Sequence, residues 1–301
     1  MEIAFVSQYQ LEMLDFAAEA GFDGLEIFVE DDSCVNLDRL SEDGIRTIAG
    51  EFARRNLKVS TICCSVNHLH HDPAVRARNN AYFEKAMGLC RLFGTDTVTG
   101  NAWSDYTLTP EENLPEFKRV FSRYAKVAED LGVRIALENC PHFVGYPLPI
   151  GNMAYSPEMW EAMFDEVDSC ALGLEFDPSH LYWLGIDYLA ALEKFGSKVF
   201  AVHAKDTEIL PESLKKCGIL GKQLGKTSEW DAGWWRYRLP GMGQVDWSGM
   251  MRILAEHRFT GPVIIEHEDP VYDGPLRQQG LKMGLKFLRQ FDGVLSGSAG
   301  G

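Results

Sequence analysis

The chain has 301 residues, 46% of them hydrophobic, and its formal net charge is −15 at pH 7. This composition is sufficient for a continuous core, and a surface so negative repels phosphate backbones and anionic lipid, so we expect no nucleic acid and no membrane partner. Seven cysteines without a paired spacing pattern favour free thiols, and the N-terminus lacks a signal-peptide pattern. Together these features predict a cytoplasmic protein.

Strand-like and helix-like segments alternate along the chain. Short apolar runs predict strands over 2–6, 24–28, 58–63, 97–100, 134–137, 172–176, 199–202 and 262–265. Amphipathic stretches predict helices over 11–20, 40–55, 75–93, 113–131, 157–167, 188–195, 247–257 and 276–291. Eight such units predict an α/β fold, a single (β/α)8 TIM barrel over residues 1–293. The competing doubly wound sheet is disfavoured because the first strand is followed by SQYQ and not by a glycine-rich turn.

Two segments depart from this alternation. Residues 207–246 have little helical periodicity and are rich in glycine and in aromatic residues, including Trp234, Trp235 and Tyr237. Because this segment follows the seventh strand, we expect it to lie over the barrel mouth as a lid or substrate wall, with an oligomer contact as the alternative. Residues 294–301 have the small-residue composition of a flexible tail.

Polar residues stand where the last four apolar runs end. These residues are Glu138, Asp177, His203 and Glu266. Parallel strands present their C-terminal ends on one side of a barrel, so we expect the four side chains to converge. Three carboxylates and one imidazole predict a site for one divalent ion, with Mn²⁺ the first expectation and Mg²⁺, Co²⁺ or Zn²⁺ as alternatives.

The motifs around these residues resemble those of a known superfamily. ENCPH, DPSH, HAKD and IIEHED mark the last four strands, and PGMGQVDW leads into the seventh predicted helix. Over nearly the whole chain they resemble the xylose-isomerase-like TIM barrel superfamily. Within it they are most similar to the sugar phosphate isomerase/epimerase branch, with its ketose 3-epimerases, inosose-processing enzymes and 3-keto-glycoside-processing enzymes. The resemblance implies that the four strand-end residues hold the ion and that Glu138 and Glu266 are also the catalytic acid/base pair.

The resemblance thus implies a metal-dependent sugar isomerase or epimerase. One glutamate would remove the proton next to a carbonyl and the other would return it, through a cis-enediolate that the ion stabilises as a Lewis acid. The acidic EHEDP segment repels phosphate, so we expect an uncharged keto-sugar or keto-sugar derivative. The same site in a lyase or deglycosylase could expel the C1 substituent of a 3-keto-glycoside by β-elimination. A non-catalytic sugar-binding barrel is a more remote alternative.

Six further residues at strand ends are predicted to contact the sugar. They are His180, Lys205, Asp206, His68, Trp103 and Glu26. The resemblance places His180 on a substrate oxygen, and Lys205 could bind another. Asp206 could also orient the ring of His203. The remaining three are predicted to line the pocket, and the resemblance is compatible with a homo-oligomer.

Overall fold

Eight parallel strands form a closed barrel in the computed structural model, which describes residues 1–144, 150–227 and 231–296. The barrel strands are β1 (Ile3–Ser7), β2 (Gly24–Phe28), β3 (Lys58–Cys63), β4 (Thr97–Gly100), β5 (Arg134–Glu138), β6 (Leu172–Phe176), β7 (Val199–Ala204) and β10 (Val263–Ile265). They follow one another around the ring in chain order, and β10 closes it by pairing with β1. The predicted TIM barrel is confirmed.

Helices surround the barrel between the strands. They are α1 (Leu11–Ala20), α2 (Glu42–Ala53), α3 (Pro73–Leu89), α4 (Pro110–Leu131), α5 (Pro157–Glu166), α6 (Pro178–Leu184), α7 (Tyr188–Phe195), α8 (Pro211–Cys217), α9 (Trp247–Glu256), α10 (Arg277–Leu288) and α11 (Asp292–Ser296). The predicted helix over 75–93 is divided into α3 and a 3-10 turn, Cys90–Phe93, which ends at Gly94 with a φ of 86°. The short helix α6, directly after β6, was not predicted.

Alternation along the strands separates an outer core from the barrel interior. Outward-facing residues such as Leu174 and Phe176 join the large cluster beneath the helices. A separate small cluster contains Ala4, Val6, Ala201 and Ile264. Because strand side chains alternate between faces, the next inward positions on β7 and after β10 belong to two of the predicted metal ligands. The small apolar cluster is therefore the floor of the site.

The predicted lid contains regular structure within its described part. β8 (Asp206–Ile209) pairs antiparallel with β9 (Trp235–Arg238), and α8 follows β8. In β9 the aromatic side chains are buried, and Arg238 contacts Glu208 on the paired strand. Four alternating residues are too short a pattern to distinguish a strand from a loop in the sequence. Residues 228–230 of the predicted lid lie outside the described residues.

The C-terminal end is helical further than the sequence predicted. Residues 294–296 belong to α11, whereas 297–301, the rest of the predicted tail, lie outside the described residues. Across the described part of the chain, no helix combines the length and the apolar character needed to cross a membrane.

Candidate metal centre

The four predicted ligands converge at the C-terminal mouth of the barrel, and we call them the metal quartet. They are Glu138, Asp177, His203 and Glu266. One ligand atom of each lies within 4.8 Å of those of the other three. Nδ1 of His203 is 3.1 Å from Oε1 of Glu138 and 3.2 Å from Oε2 of Glu266. Strands far apart in sequence thus bring together the residues that the strand-end pattern singled out.

Two asparagines fix the chain around the quartet. The side chain of Asn139 donates to the carbonyl of Asp177 and accepts from its backbone N–H, each at 2.8 Å. The side chain of Asn152 donates to the carbonyl of Glu138 at 2.8 Å. Oδ1 of Asp177 caps α6 by accepting from the N–H of Ser179 at 2.7 Å. The other oxygen, Oδ2, is therefore directed into the site.

The donor set fits a divalent cation. Oxygen ligands from carboxylates together with one imidazole suit Mn²⁺ and Zn²⁺, and carboxylates alone suit Mg²⁺. Among the described residues, Oδ2 of Asp177 accepts no hydrogen bond, although the residue is fully buried. A bound ion would coordinate that oxygen, whose neighbour in this structure is the ammonium group of Lys205 at 3.2 Å, and would reduce the repulsion among the carboxylates. The residues present are thus those that such an ion requires.

Both quartet glutamates are held in the ionised form. Burial raises the pKa of Glu138, but the neighbouring imidazoles of His180 and His203 outweigh this effect and hold that pKa well below its ordinary value. Burial likewise opposes the charge of Glu266, but the charges of Lys205 and His203 lower its pKa to about 2. Each carboxylate is therefore able to accept a proton at neutral pH.

Lys205 and His180 complete the polar wall of the site. Nζ of Lys205 is 2.5 Å from Oε2 of Glu266, 2.9 Å from Oε2 of Glu268 and 3.2 Å from Oδ2 of Asp177. It also lies 4.4 Å from the ring centroid of Tyr237. Although burial disfavours its charge, the carboxylates raise the pKa of Lys205 well above its ordinary value. This lysine is a fixed cation beside the quartet.

His180 links the quartet to the lid. Its Nε2 is 3.3 Å from Oδ2 of Asp177 and 3.6 Å from Oε1 of Glu138. Its Nδ1 is 2.9 Å from the hydroxyl of Tyr237 in β9. The tyrosine belongs to an aromatic cluster in which Trp183 and Trp235 are stacked, with ring centroids 4.5 Å apart. The lid therefore packs directly on a residue that contacts the quartet.

Trp103 lies at the rim of the barrel near the quartet, and Glu26 lies inside the barrel beneath it. The indole N–H of Trp103 donates to Ser65 at 2.8 Å, and Ser65 is hydrogen-bonded to Asn101, which donates to Oε2 of Glu138 at 3.1 Å. Trp103 is thus connected to the quartet along the rim. Glu26 is buried inside the barrel, where it accepts from the hydroxyl of Thr61. It therefore lies beneath the quartet and not at a sugar-accessible wall.

The structure places His68 away from the mouth. Its ring is fully buried, with centroids 4.7, 5.3 and 5.4 Å from those of Phe83, Phe121 and Tyr124. The prediction that His68 lines the pocket is therefore wrong. His68 comes five residues after the end of β3, and its ring packs against aromatic side chains of α3 and α4. Burial lowers the pKa of His68 to about 3.

The structure also gives Asp206 a different role. Its Oδ2 accepts the N–H of Gly241 and the indole N–H of Trp247, each at 3.0 Å. Its Oδ1 accepts the N–H groups of Val245 and Thr207 at 2.9 and 2.8 Å. Both oxygens are therefore engaged in holding the segment that leads into α9. This carboxylate neither orients His203 nor offers an oxygen to a sugar, contrary to the prediction.

Sequence reasoning missed Glu175 and Cys140. Glu175 lies inside β6, and its Oε1 is 3.2 Å from Nε2 of His203. The sequence signal for Glu175 was a charged residue within an apolar run. It stands two residues before Asp177 and therefore on the same face of the strand.

Cys140 contacts the imidazoles of His142 and His180. Burial raises the pKa of the Cys140 thiol, but these imidazoles give a net lowering. Ligand atoms of Glu138, Cys140 and His142 lie within 4.8 Å of one another.

The fold and the quartet define a TIM-barrel protein with a candidate divalent-metal centre at its C-terminal mouth. The chain belongs to the xylose isomerase-like TIM barrel family, whose model matches residues 14–291. Inosose isomerase of Bacillus velezensis is 25% identical over 263 residues, which cover 86% of this chain and 83% of that protein.

Two solved structures share the fold over almost their whole length. The IOLI protein with a bound zinc atom has a TM-score of 0.72 and 22% identity, and the match covers 100% of both chains. The 3-keto-D-glucoside 4-epimerase YcjR of E. coli has a TM-score of 0.69 and 16% identity, covering 96% of this chain and 99% of that one. At such identities the two structures show a shared fold alone.

Proposed function

We propose that this protein is a divalent-metal-dependent isomerase or epimerase of uncharged keto-sugars or keto-sugar derivatives, with Mn²⁺ as the first candidate metal. The observation that carries the proposal is the convergence of the quartet, whose ligand atoms lie within 4.8 Å of one another. Inosose isomerase is among the relatives of this chain, which supports a sugar carbonyl as the group acted on.

The quartet would hold the metal, and two of its members would move the proton. When bound, the ion would supply Lewis acidity toward a sugar carbonyl. Glu138 and Glu266 come from strands that are not neighbours in the barrel, and their carboxylates lie 3.1 and 3.2 Å from Nδ1 of His203. One carboxylate takes the proton from the carbon next to the carbonyl, and the C–H electron pair moves toward the carbonyl oxygen. The other glutamate returns a proton to the opposite face.

Neighbouring residues would orient the sugar and keep water away. Lys205 presents an ammonium group beside Glu266, and His180 presents an imidazole beside Glu138. Both are almost fully buried and suited to hydrogen-bond sugar oxygens near the reacting carbon. The lid, through Tyr237, packs on His180 and covers this side of the mouth. Such a cover strengthens the electrostatic interactions within the site.

A second reaction is favoured by a cavity under the lid. The cavity has a volume of about 400 Å³, and Trp235, Tyr237 and Glu268 are among its lining residues. Glu268 also contacts Lys205, which lies beside the quartet, so the cavity could accept the C1 substituent of a 3-keto-glycoside whose reacting carbon is at the quartet. Removal of the C2 proton would then form a C1=C2 double bond as the C1–O bond breaks, and the substituent would leave as an alcohol after taking up a proton.

Proton exchange in D₂O tests the proposal. The Mn²⁺-loaded enzyme is incubated with free ketoses and 3-keto-glycosides while NMR follows the carbon-bound proton and any released alcohol. We expect deuterium next to the carbonyl with the sugar otherwise intact; release of the alcohol would identify the elimination instead. Glu138→Gln and Glu266→Gln should each reduce exchange at least about 100-fold.

The control is Glu212→Gln, which alters an exposed glutamate of α8. It should exchange at the wild-type rate. Full exchange in either quartet variant would contradict the acid/base roles, and no exchange on any sugar by a metal-loaded wild type would contradict the function.

A further inference from the structure

Two carboxylates lie inside the barrel beneath the quartet, facing the back of His203. Oε1 of Glu175 is 3.2 Å from Nε2 of His203, and Oε1 of Glu26 is 3.5 Å from the same nitrogen. Both glutamates and the imidazole are buried. The two ring nitrogens therefore face different groups: Nδ1 faces Glu138 and Glu266 of the quartet, and Nε2 faces the barrel interior.

The barrel geometry places Glu175 at this depth. In β6 its neighbours Leu174 and Phe176 belong to the outer core, so the side chain between them points into the barrel. Its register partner on β7 is Ala201, a small residue of the apolar floor. The small partner leaves room for a glutamate. The position is thus built for a group that reaches the imidazole from below.

We propose that Glu175 is a positioning residue that fixes the tautomer and the ring orientation of His203. This inference rests on the metal site of the proposed function. A neutral imidazole carries one proton, and an ion held by the quartet would occupy the lone pair of Nδ1, so the proton belongs on Nε2, which lies 3.2 Å from Oε1 of Glu175 and 3.5 Å from Oε1 of Glu26. Nδ1 then presents its lone pair to the quartet. Glu26 is farther from Nε2 and is held by Thr61, so it plays the lesser part.

The expected consequence concerns metal affinity. Histidine ligands whose second ring nitrogen donates to a carboxylate are better oriented and more basic, and loss of such a partner typically costs 10–100-fold in metal affinity. If Glu175 only supported the fold, its replacement would lower the stability of the metal-free protein. A positioning role does not require such a loss. Replacing a buried charge by an apolar side chain of similar size is often neutral or stabilising for the fold. Affinity and stability should therefore change independently at this position.

Zinc titration of three variants tests the inference. Zn²⁺ affinity is measured by chelator competition, thermal stability is measured without metal, and histidine side-chain ¹⁵N NMR reports which ring nitrogen carries the proton. Glu175→Leu should bind Zn²⁺ 10–100-fold more weakly while the metal-free stability is retained or increased. Glu175→Gln keeps an acceptor oxygen and should restore most of the affinity. Thr99→Val, an isosteric change at a buried residue of β4, should bind as wild type does.

The outcomes separate this inference from the proposed function. Wild-type Zn²⁺ affinity in Glu175→Leu, or a His203 proton on Nδ1 in the Zn²⁺-loaded wild type, would overturn it. A wild type that binds no Zn²⁺ would overturn both the inference and the metal centre. The expected loss of affinity together with no turnover of any sugar would support the inference and contradict the proposed reaction.

Discussion

His68 shows how the surroundings of one side chain decide between a functional and a structural role. The imidazole is enclosed by three aromatic rings, and its Nδ1 lies 3.2 Å from the hydroxyl of Tyr124. Burial favours the neutral ring and lowers its pKa to about 3, from an ordinary value of 6.5. This histidine therefore belongs to the packing between barrel and helices, and its effect should be on stability.

Replacing His68 by phenylalanine should remove part of the acid sensitivity of the fold. Because the unfolded chain binds a proton near pH 6.5 and the folded ring does not until about pH 3, the free energy of unfolding falls as pH decreases through this interval. Between pH 6.5 and 5 this amounts to roughly 2 kcal/mol. Urea unfolding at pH 7 and pH 5 should show a smaller difference in His68→Phe than in wild type.

The control for this change is His71→Gln, at an exposed position of the same loop. It should keep the wild-type pH dependence. If the free energy of unfolding of His68→Phe kept the wild-type pH dependence while sugar binding became weaker, the structural role would be contradicted. The prediction that His68 lines the sugar pocket would then be favoured.

At the scale of elements, Asp206 joins the lid to the barrel. It begins β8, and its carboxylate accepts from the backbone of Gly241 and Val245 and from the indole of Trp247. The same residue thus connects the lid strands with the segment leading into α9. Gly243 fits closely against this carboxylate, because a Cβ there would lie 2.3 Å from Oδ1 of Asp206. This packing explains the glycine at position 243 of the PGMGQVDW motif.

Asp206→Asn should therefore loosen the lid attachment. An amide nitrogen would replace one oxygen that accepts two N–H groups, leaving buried donors without an acceptor and costing about 3 kcal/mol. We expect a lower melting temperature and faster amide hydrogen exchange in the segment from Gly241 to Val245. Asp187→Asn, at the exposed N-cap of α7, is the control, and since asparagine caps helices as well as aspartate does, it should change little. If Asp206→Asn kept the wild-type stability but bound sugar more weakly, the role in lid attachment would be contradicted and a sugar contact of Asp206 would be favoured.

At the scale of the whole molecule, the sequence predicted the barrel because each strand is a short apolar run bounded by turn residues. The segments over 24–28, 58–63, 97–100 and 172–176 coincide with the observed strands. The lid sheet was missed because its strands, DTEI and WRYR, are not apolar runs and their pairing is nonlocal. The two strands that pair are some 30 residues apart, and such pairing cannot be read from the hydrophobic periodicity of a short segment.

The quartet was predictable for a related reason. A residue at the C-terminal end of a barrel strand has its position fixed by the fold, so its type alone indicates a ligand. His68 and Asp206 lie beyond the ends of their barrel strands. The direction of their side chains therefore depends on the path of the chain after the strand. Glu175 lies within a strand, and it could have been recognised because an inward charge at that depth needs a partner.

The net electrostatics of the site predict how metal binding varies with pH. Without metal, burial opposes the charge of His203, but Glu175 and Glu266 raise its pKa well above the ordinary value. This proton stabilises the fold fully below about pH 6.5, and its contribution is lost as pH rises through the raised pKa. A metal ligand must be unprotonated at Nδ1, so the metal has to displace this proton. The quartet glutamates are already ionised and add no proton to the exchange.

Mn²⁺ affinity should therefore rise about tenfold for each pH unit below the raised pKa of His203. Calorimetric titrations should show tighter binding at pH 7.5 than at pH 5.5, and titrations in buffers of different ionisation enthalpy should show proton release on binding. At a Mn²⁺ concentration 100 times the dissociation constant, binding adds about 2.7 kcal/mol to stability, so at one fixed Mn²⁺ concentration the melting temperature should rise more at pH 7.5 than at pH 5.5. Equal affinities at the two values would show that the imidazole is not the titrating ligand, and would leave the carboxylates to hold the ion without it.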